Sequence, residues 1–156
     1  MKYLLILNKF ELSKEVLKDK IKTKLKDSNF YEDQGLILET TQNIKEIIYF
    51  EEINKILPLY KGWQKFNFKD FKNNFNNLNI KTHLVKIKFI NKIPISTKSL
   101  IKKINSVLKS KYSENPEKII YIEFIKKQNI PYYRTFLIPI NYWEKFKMEK
   151  NKLNFE

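Results

Sequence analysis

The chain has 156 residues, 42% of them apolar and 15% aromatic, enough for one domain of common size or two small ones and too apolar for a disordered chain. It has no cysteine and one histidine, His83, which excludes disulfides, thiol chemistry and the usual zinc sites. Its 31 basic residues against 17 acidic ones leave a net charge of +14, a self-repulsion that a polyanionic partner relieves and that points to nucleic acid ahead of a membrane surface.

The first apolar run, KYLLIL (2–7), predicts a short buried strand and is too short for a signal-peptide core or a membrane span. The expectation is a cytoplasmic chain without a membrane partner. Ser13 is then a fair helix cap, with Glu15 in the first turn. Val16, Leu17, Ile21 and Leu25 recur at helical spacing while Lys14, Lys18, Lys22 and Lys26 fall on another face. DQGLILET predicts a strand entered through Gly35. In NIKEIIYFEEI the spacing of Ile44, Ile47, Ile48 and Glu51 suits a helix, although its β-branched content also suits a strand. NKILPLYKGW reads as a strand at an edge, because Pro58 removes a ladder donor. Strand, helix, strand, helix, strand, with room for one more strand, outlines a ferredoxin-like α+β unit over 1–65.

A seam falls near Gly62–Phe66, and a second unit is expected over 66–147, followed by a tail over 148–156. Phe68, Phe71 and Phe75 have helical spacing, with Asn67 as a cap. In THLVKIKFI, Val85, Ile87 and Phe89 share one face of a strand and Lys86 and Lys88 share the other. ISTKSLIKKINSVLKSKY is the clearest helix: Ser96 caps it, Leu100, Ile101, Ile104, Val107 and Leu108 form its apolar stripe, and Lys98, Lys102 and Lys109 lie away from that stripe. EKIIYIEFI and YYRTFLIPI are two strands of a β-hairpin joined through KKQNIP.

The order of elements in the second half, with HLVKIKFINK, then STKSLIKKIN, then NPEKIIYIEF, resembles the THUMP domain of tRNA-modifying enzymes. The matching positions are Lys92 after the strand, Ser96 opening the helix, Asn115-Pro116-Glu117 at the turn, and Ile120–Glu123 in the strand that follows. Many THUMP domains carry Ile-Gly in the helix where this chain has Ile104-Asn105. The first half resembles the ferredoxin-like domain that precedes THUMP, most of all in the tRNA guanosine-10 N2-methyltransferases and less in the 4-thiouridine synthetases. The fold implied is α+β, a ferredoxin-like N-terminal domain followed by an α/β THUMP domain.

The resemblance implies tRNA as the partner, gripped at its acceptor end. The enzymes it resembles carry a catalytic domain after THUMP. This chain has two glycines, Gly35 and Gly62, no Asn/Asp-Pro-Pro-Tyr/Phe motif, no glycine-rich phosphate cradle and no cysteine for sulfur transfer. The expectation is therefore no cofactor and no catalysis from this chain, which would recruit tRNA to a separate catalytic subunit, a methyltransferase above all. An adaptor for tRNA cytidine acetylation and a generic basic RNA-binding or ribosome-associated protein are the alternatives.

Lysines contact phosphate and position RNA more than they read its sequence. The expected cluster is Lys86, Lys88, Lys92, Lys98, Lys102, Lys103 and Lys109, each of which is also an ordinary solvated residue on its face. Arg134 is the single arginine of a chain that otherwise uses lysine. Two readings stand: a planar contact to phosphate with Tyr132 and Tyr133 alongside, or an ion pair with Glu123 across the hairpin. His83 has no partner at catalytic spacing and reads as a polar strand-end residue. Tyr60, Trp63 and Phe66 at the seam suit inter-domain packing before RNA stacking. Tyr142 and Trp143 suit local core before a partner chain.

Overall fold

Buried side chains gather in two clusters that share no residue. The computed structural model describes residues 1–8, 14–140 and 142; the expected cap Ser13, Trp143 and the tail over 148–156 lie outside them. The chain divides between Leu59 and Tyr60 into two compact units, the first of which also takes in Tyr142.

The first unit runs β1 (Lys2–Leu7), α1 (Lys14–Lys24), β2 (Asn29–Glu32), β3 (Leu36–Glu39), a 3₁₀ turn (Ile44–Glu46) and β4 (Ile53–Lys65). Its strands lie in the order β2-β3-β1-β4 with every neighbour antiparallel, the ferredoxin-like order. Strand β2 is the one the sequence pattern did not resolve. Its pattern is mostly exposed, so it shows no alternation to read. Leu17, Ile21 and Leu25 carry α1 onto the core, but Val16 is 49% exposed, so the buried stripe is narrower than its spacing suggested. The helix expected over 44–51 is instead a chain of i→i+3 bonds, from Ile47 N to Ile44 O, Phe50 N to Ile47 O and Ile53 N to Phe50 O. Ile44, Ile47 and Ile48 are still buried there. Three β-branched residues lower helix propensity, and the Asn43 side chain accepts from Lys45 N at 2.9 Å, which fixes the tighter turn. The strand expected over 54–63 runs on through Gly62 to Lys65, with Pro58 opposite Tyr3 in the register.

The second unit takes β4 from Tyr60 onward, then a 3₁₀ segment (Phe71–Phe75), β5 (Thr82–Phe89), α2 (Thr97–Val107), β6 (Lys111–Tyr112), β7 (Lys118–Lys127) and β8 (Ile130–Pro139). The strand order is β4-β8-β7-β5-β6, with β5 parallel to β6 and β7, and β7 antiparallel to β8. Parallel pairing needs a crossover, and α2 supplies it. Ser96 Oγ accepts from Ser99 N, as its place before the apolar stripe predicted, and Leu100 and Ile104 are fully buried. They pack with Val85, Ile120, Ile122, Phe124 and Tyr133. The hairpin loop is tighter than expected: only Gln128 (φ 52°) and Asn129 (φ 63°) separate the strands, both left-handed as a two-residue type I′ turn requires.

The 3₁₀ segment buries Phe71 and Phe75 and leaves Phe68 46% exposed, although all three share a helical spacing. The reason is the cap at Asn67, whose side chain bonds Lys69 N at 2.9 Å and whose carbonyl accepts from Asp70 N and Phe71 N. Phe68 therefore sits in the capping turn. Among the described residues no helix is long and apolar enough to cross a membrane.

Candidate nucleic-acid interface

Charge is divided unevenly between the two units. Residues 1–59 carry 10 basic and 10 acidic residues, a net of zero; residues 60–140 carry 17 basic and 4 acidic, a net of +13 of the chain's +14. Lysines in the first unit also meet acidic partners: Lys14 with Glu32, Lys18 with Glu15, and Lys20 with Glu52. Burial pushes the Glu52 carboxyl up, and the hydrogen bond and charge of Lys20 outweigh it and bring the group below its usual value.

The lysines expected to form one cluster fall into separate places. Val85, Ile87 and Phe89 face α2, so Lys86 and Lys88 emerge on the opposite face of β5, beside Tyr121 and Glu123 of β7. Lys98 and Lys102 are exposed on α2, away from its buried stripe. Lys92 lies just beyond the carboxyl end of β5. There the Asn91 side chain donates to Lys126 O at 2.9 Å and accepts from Lys126 N at 2.7 Å, which ties the loop to the end of β7. Lys109 lies just past the other end of α2, beyond its C-cap Leu108 and eleven positions from Lys98. Lys103 is partly buried; its ammonium donates to Phe68 O at 3.0 Å and lies 3.3 Å from the Phe68 ring centroid.

Several basic residues that the sequence reading did not single out lie toward the carboxyl end of β5 and β7, on both faces of the sheet. Lys126 and Lys127 precede the hairpin turn, and Phe66 N donates to Pro131 O, which brings the end of β4 with Lys65 to the same place. Lys69 follows one turn on. With Lys92 and Lys98 they make six lysines at one end of the unit. Adjacent Lys126-Lys127 before a turn was the signal that could have found part of this set. The opposite end has acidic company. Glu117 Oε2 accepts from Lys81 N at 2.9 Å, and Glu117 N donates to Thr82 Oγ1 at 2.7 Å, so the Asn-Pro-Glu turn anchors the start of β5.

Arg134 is only 1% exposed. Its Nε donates to Glu123 Oε1 at 2.8 Å, directly across the β7–β8 register, and its guanidinium lies 4.5 Å from the Trp63 ring and 5.4 Å from Phe136. Tyr121 donates its hydroxyl to Glu123 Oε2 at 3.1 Å. Burial, with the Glu123 charge beside it, pushes the Tyr121 hydroxyl far above its usual range and keeps it a neutral donor. Of the two readings of Arg134, the intramolecular pair is the one these contacts form.

His83 is 1% exposed. Its Nδ1 is 2.5 Å from Ser110 Oγ and its Nε2 2.6 Å from Asn105 Oδ1. Asn105, where many THUMP domains have glycine, thus ties α2 to β5 through the histidine. Tyr133 is buried, its hydroxyl accepts from Asn74 Nδ2, and burial pushes its pKa up to about 12. Tyr142 packs against the core of the first unit. Among the described residues no three His, Cys, Asp or Glu side chains gather as a metal site would need.

No protein-family model matches the sequence, and no curated protein matches it. Solved structures do. One is a 4-thiouridine synthetase crystallised as an RNA complex with bound ATP, with a TM-score of 0.54 at 14% identity, covering 88% of this chain and 41% of that one. PH1313 from Pyrococcus horikoshii Ot3 gives 0.51 at 14% identity, covering 89% and 55%. TrmN from Thermus thermophilus gives 0.59 at 8% identity, covering 88% and 44%. The chain thus spans about half the length of these proteins or less. At such identities the likeness is one of fold, and the fold is a ferredoxin-like unit followed by an α/β THUMP-like unit.

Proposed function

We propose that this chain binds tRNA through its second unit and presents it to a modification enzyme. The observation that carries the reading is the partition of charge: +13 on residues 60–140 and zero on residues 1–59. Lysine is nearly as frequent in residues 1–59 (10 of 59) as in residues 60–140 (16 of 81); the difference lies in the acidic residues, 10 against 4, which a codon bias toward lysine does not explain. A cationic unit beside a neutral one is what phosphate binding asks for, because affinity grows with the number of phosphates neutralised. The fold shared with a 4-thiouridine synthetase crystallised with RNA supports the choice of RNA over DNA. The six lysines at the carboxyl end of β5 and β7 would bear on the backbone, and the acceptor end of tRNA offers both a duplex and an unpaired strand.

We further propose that the chemistry belongs to a separate catalytic polypeptide, a methyltransferase above all, and that the neutral first unit is compatible with contact to protein rather than RNA. The test has two parts. Gel-shift titration should favour tRNA over duplex DNA of the same charge, with affinity falling steeply as salt rises. Equal affinity for the two would sink the reading. Co-purification of the tagged chain identifies the catalytic subunit: a methyltransferase fits the proposal, an acetyltransferase replaces it, and ribosomal proteins alone would make the chain a generic RNA binder.

A further inference from the structure

A solvent-exposed phenylalanine is usually a loose side chain, and Phe68 is held from three sides. Behind it, the Asn67 carboxamide closes a turn onto Lys69 N at 2.9 Å and fixes the Phe68 backbone. Its carbonyl accepts from Lys103 Nζ at 3.0 Å. Its ring meets Phe66 edge to face at 6.3 Å, and the Lys103 ammonium lies 3.3 Å from the ring centroid. The residue nonetheless remains 46% exposed. Burial does not account for this arrangement, since Phe71 and Phe75 carry the core contact of the segment at 0% and 1% exposure. Lys69, next in the chain and one of the six lysines above, and Lys72, four residues on, are both exposed.

We propose that Phe68 is a stacking seat for an unpaired RNA base. The claim rests on the RNA reading above and names the part of the ligand that this site takes. A fixed ring offers stacking at little entropic cost, every base has a π-face, and the ammonium at 3.3 Å polarises the ring toward an electron-rich base. Lys69 and Lys72 then meet the phosphates on either side of the stacked nucleotide. A base inside a duplex is already stacked on its neighbours and cannot use the seat, so the site selects single-stranded over double-stranded RNA.

The test uses the full chain with two probes: an eight-nucleotide single-stranded RNA carrying 2-aminopurine, and a blunt RNA duplex with as many phosphates. Wild type, Phe68→Leu and Phe68→Trp are titrated at several salt concentrations. Leu keeps apolar bulk without a π-face, and thermal melts verify that an exposed position tolerates it. Wild type should quench the 2-aminopurine. Phe68→Leu should lose the quenching and weaken single-strand binding about fivefold or more, the effect of one base–aromatic stack, with the salt slope and duplex affinity unchanged. Phe68→Trp should bind at least as tightly as wild type. If Phe68→Leu binds the single strand as wild type does, or weakens both probes equally, the seat is refuted while the RNA reading stands. If wild type binds neither probe, the RNA reading falls and the seat with it.

Discussion

Replacing either member of the buried Glu123–Arg134 pair should unfold the second unit far more readily than replacing both. The two side chains are 5% and 1% exposed and joined at 2.8 Å. Removing one leaves an uncompensated charge in the interior, at a cost of about 3–5 kcal/mol. In a unit of this size each kcal/mol moves the melting midpoint by roughly 4–8 °C, so a single replacement should lower it by roughly 12 °C or more. Arg134→Met is the informative choice, because Met fills the space between Trp63 and Phe136 that the guanidinium stem occupies. Glu123→Leu also removes the acceptor of the Tyr121 hydroxyl. The double variant has no stranded charge and should recover to within about 1–2 kcal/mol of wild type, a coupling of roughly 3 kcal/mol or more. Urea denaturation of the four proteins measures the cycle. Additive single effects would refute the buried-pair argument. So would an Arg134→Met protein that folds normally yet loses RNA affinity, since Arg134 would then be a ligand contact.

Charge reversal should separate the two lysine faces. Lys98→Glu with Lys102→Glu should weaken RNA binding and reduce the salt slope by about one for each phosphate no longer neutralised, whereas Lys86→Glu with Lys88→Glu, on the opposite face of β5, should leave the slope near wild type. Gly35→Ala should destabilise the first unit by about 1–3 kcal/mol in thermal melts, because φ is +118° and the added Cβ would stand 2.7 Å from Leu4 Cδ1. Hydrogen bonds from the side chains of Thr40 and Thr41, and from Thr41 N, hold the Asp27 carboxyl below its usual value of 3.8. A folded-state pKa below the unfolded one stabilises the ionised form, so this contribution is present above pH 3.8 and is lost as pH falls through the folded value. Asp27→Asn should remove that part of the acid-induced loss of stability, measured by melting across the acid range.

Period and cap chemistry made α2, β5 and the β7–β8 hairpin legible, because each combines a strong apolar pattern with a defined start. Strands β2 and β6 were not legible. Neither carries a buried stripe of its own, and a strand of two residues such as β6 takes its conformation from its neighbour Thr82–His83. The turn over 44–53 shows the opposite failure. Its buried isoleucines were found and its helix was not, since apolar spacing is shared by 3₁₀ and α segments while their hydrogen bonds differ.

The expected lysines do not form a single cluster, for a reason that was already present in the sequence pattern. Val85, Ile87 and Phe89 have to face the apolar stripe of α2, and alternation then forces Lys86 and Lys88 onto the other side of the sheet from Lys98 and Lys102. Proximity in sequence across β5 and α2 therefore concealed a separation in space. Conversely, Lys65, Lys69, Lys92 and Lys126 are dispersed in sequence and come to one end of the unit because parallel strands end together and the hairpin turns back beside β4.

The single arginine follows the same logic. A chain that uses lysine at thirty positions could supply a phosphate contact with lysine, so the one arginine marks a task that lysine does poorly. Sitting over an indole while bonding a buried carboxylate is such a task, because it suits a planar, weakly hydrated cation. The two cations thus part company: the abundant one covers the outside of the second unit, and the scarce one holds the hairpin together.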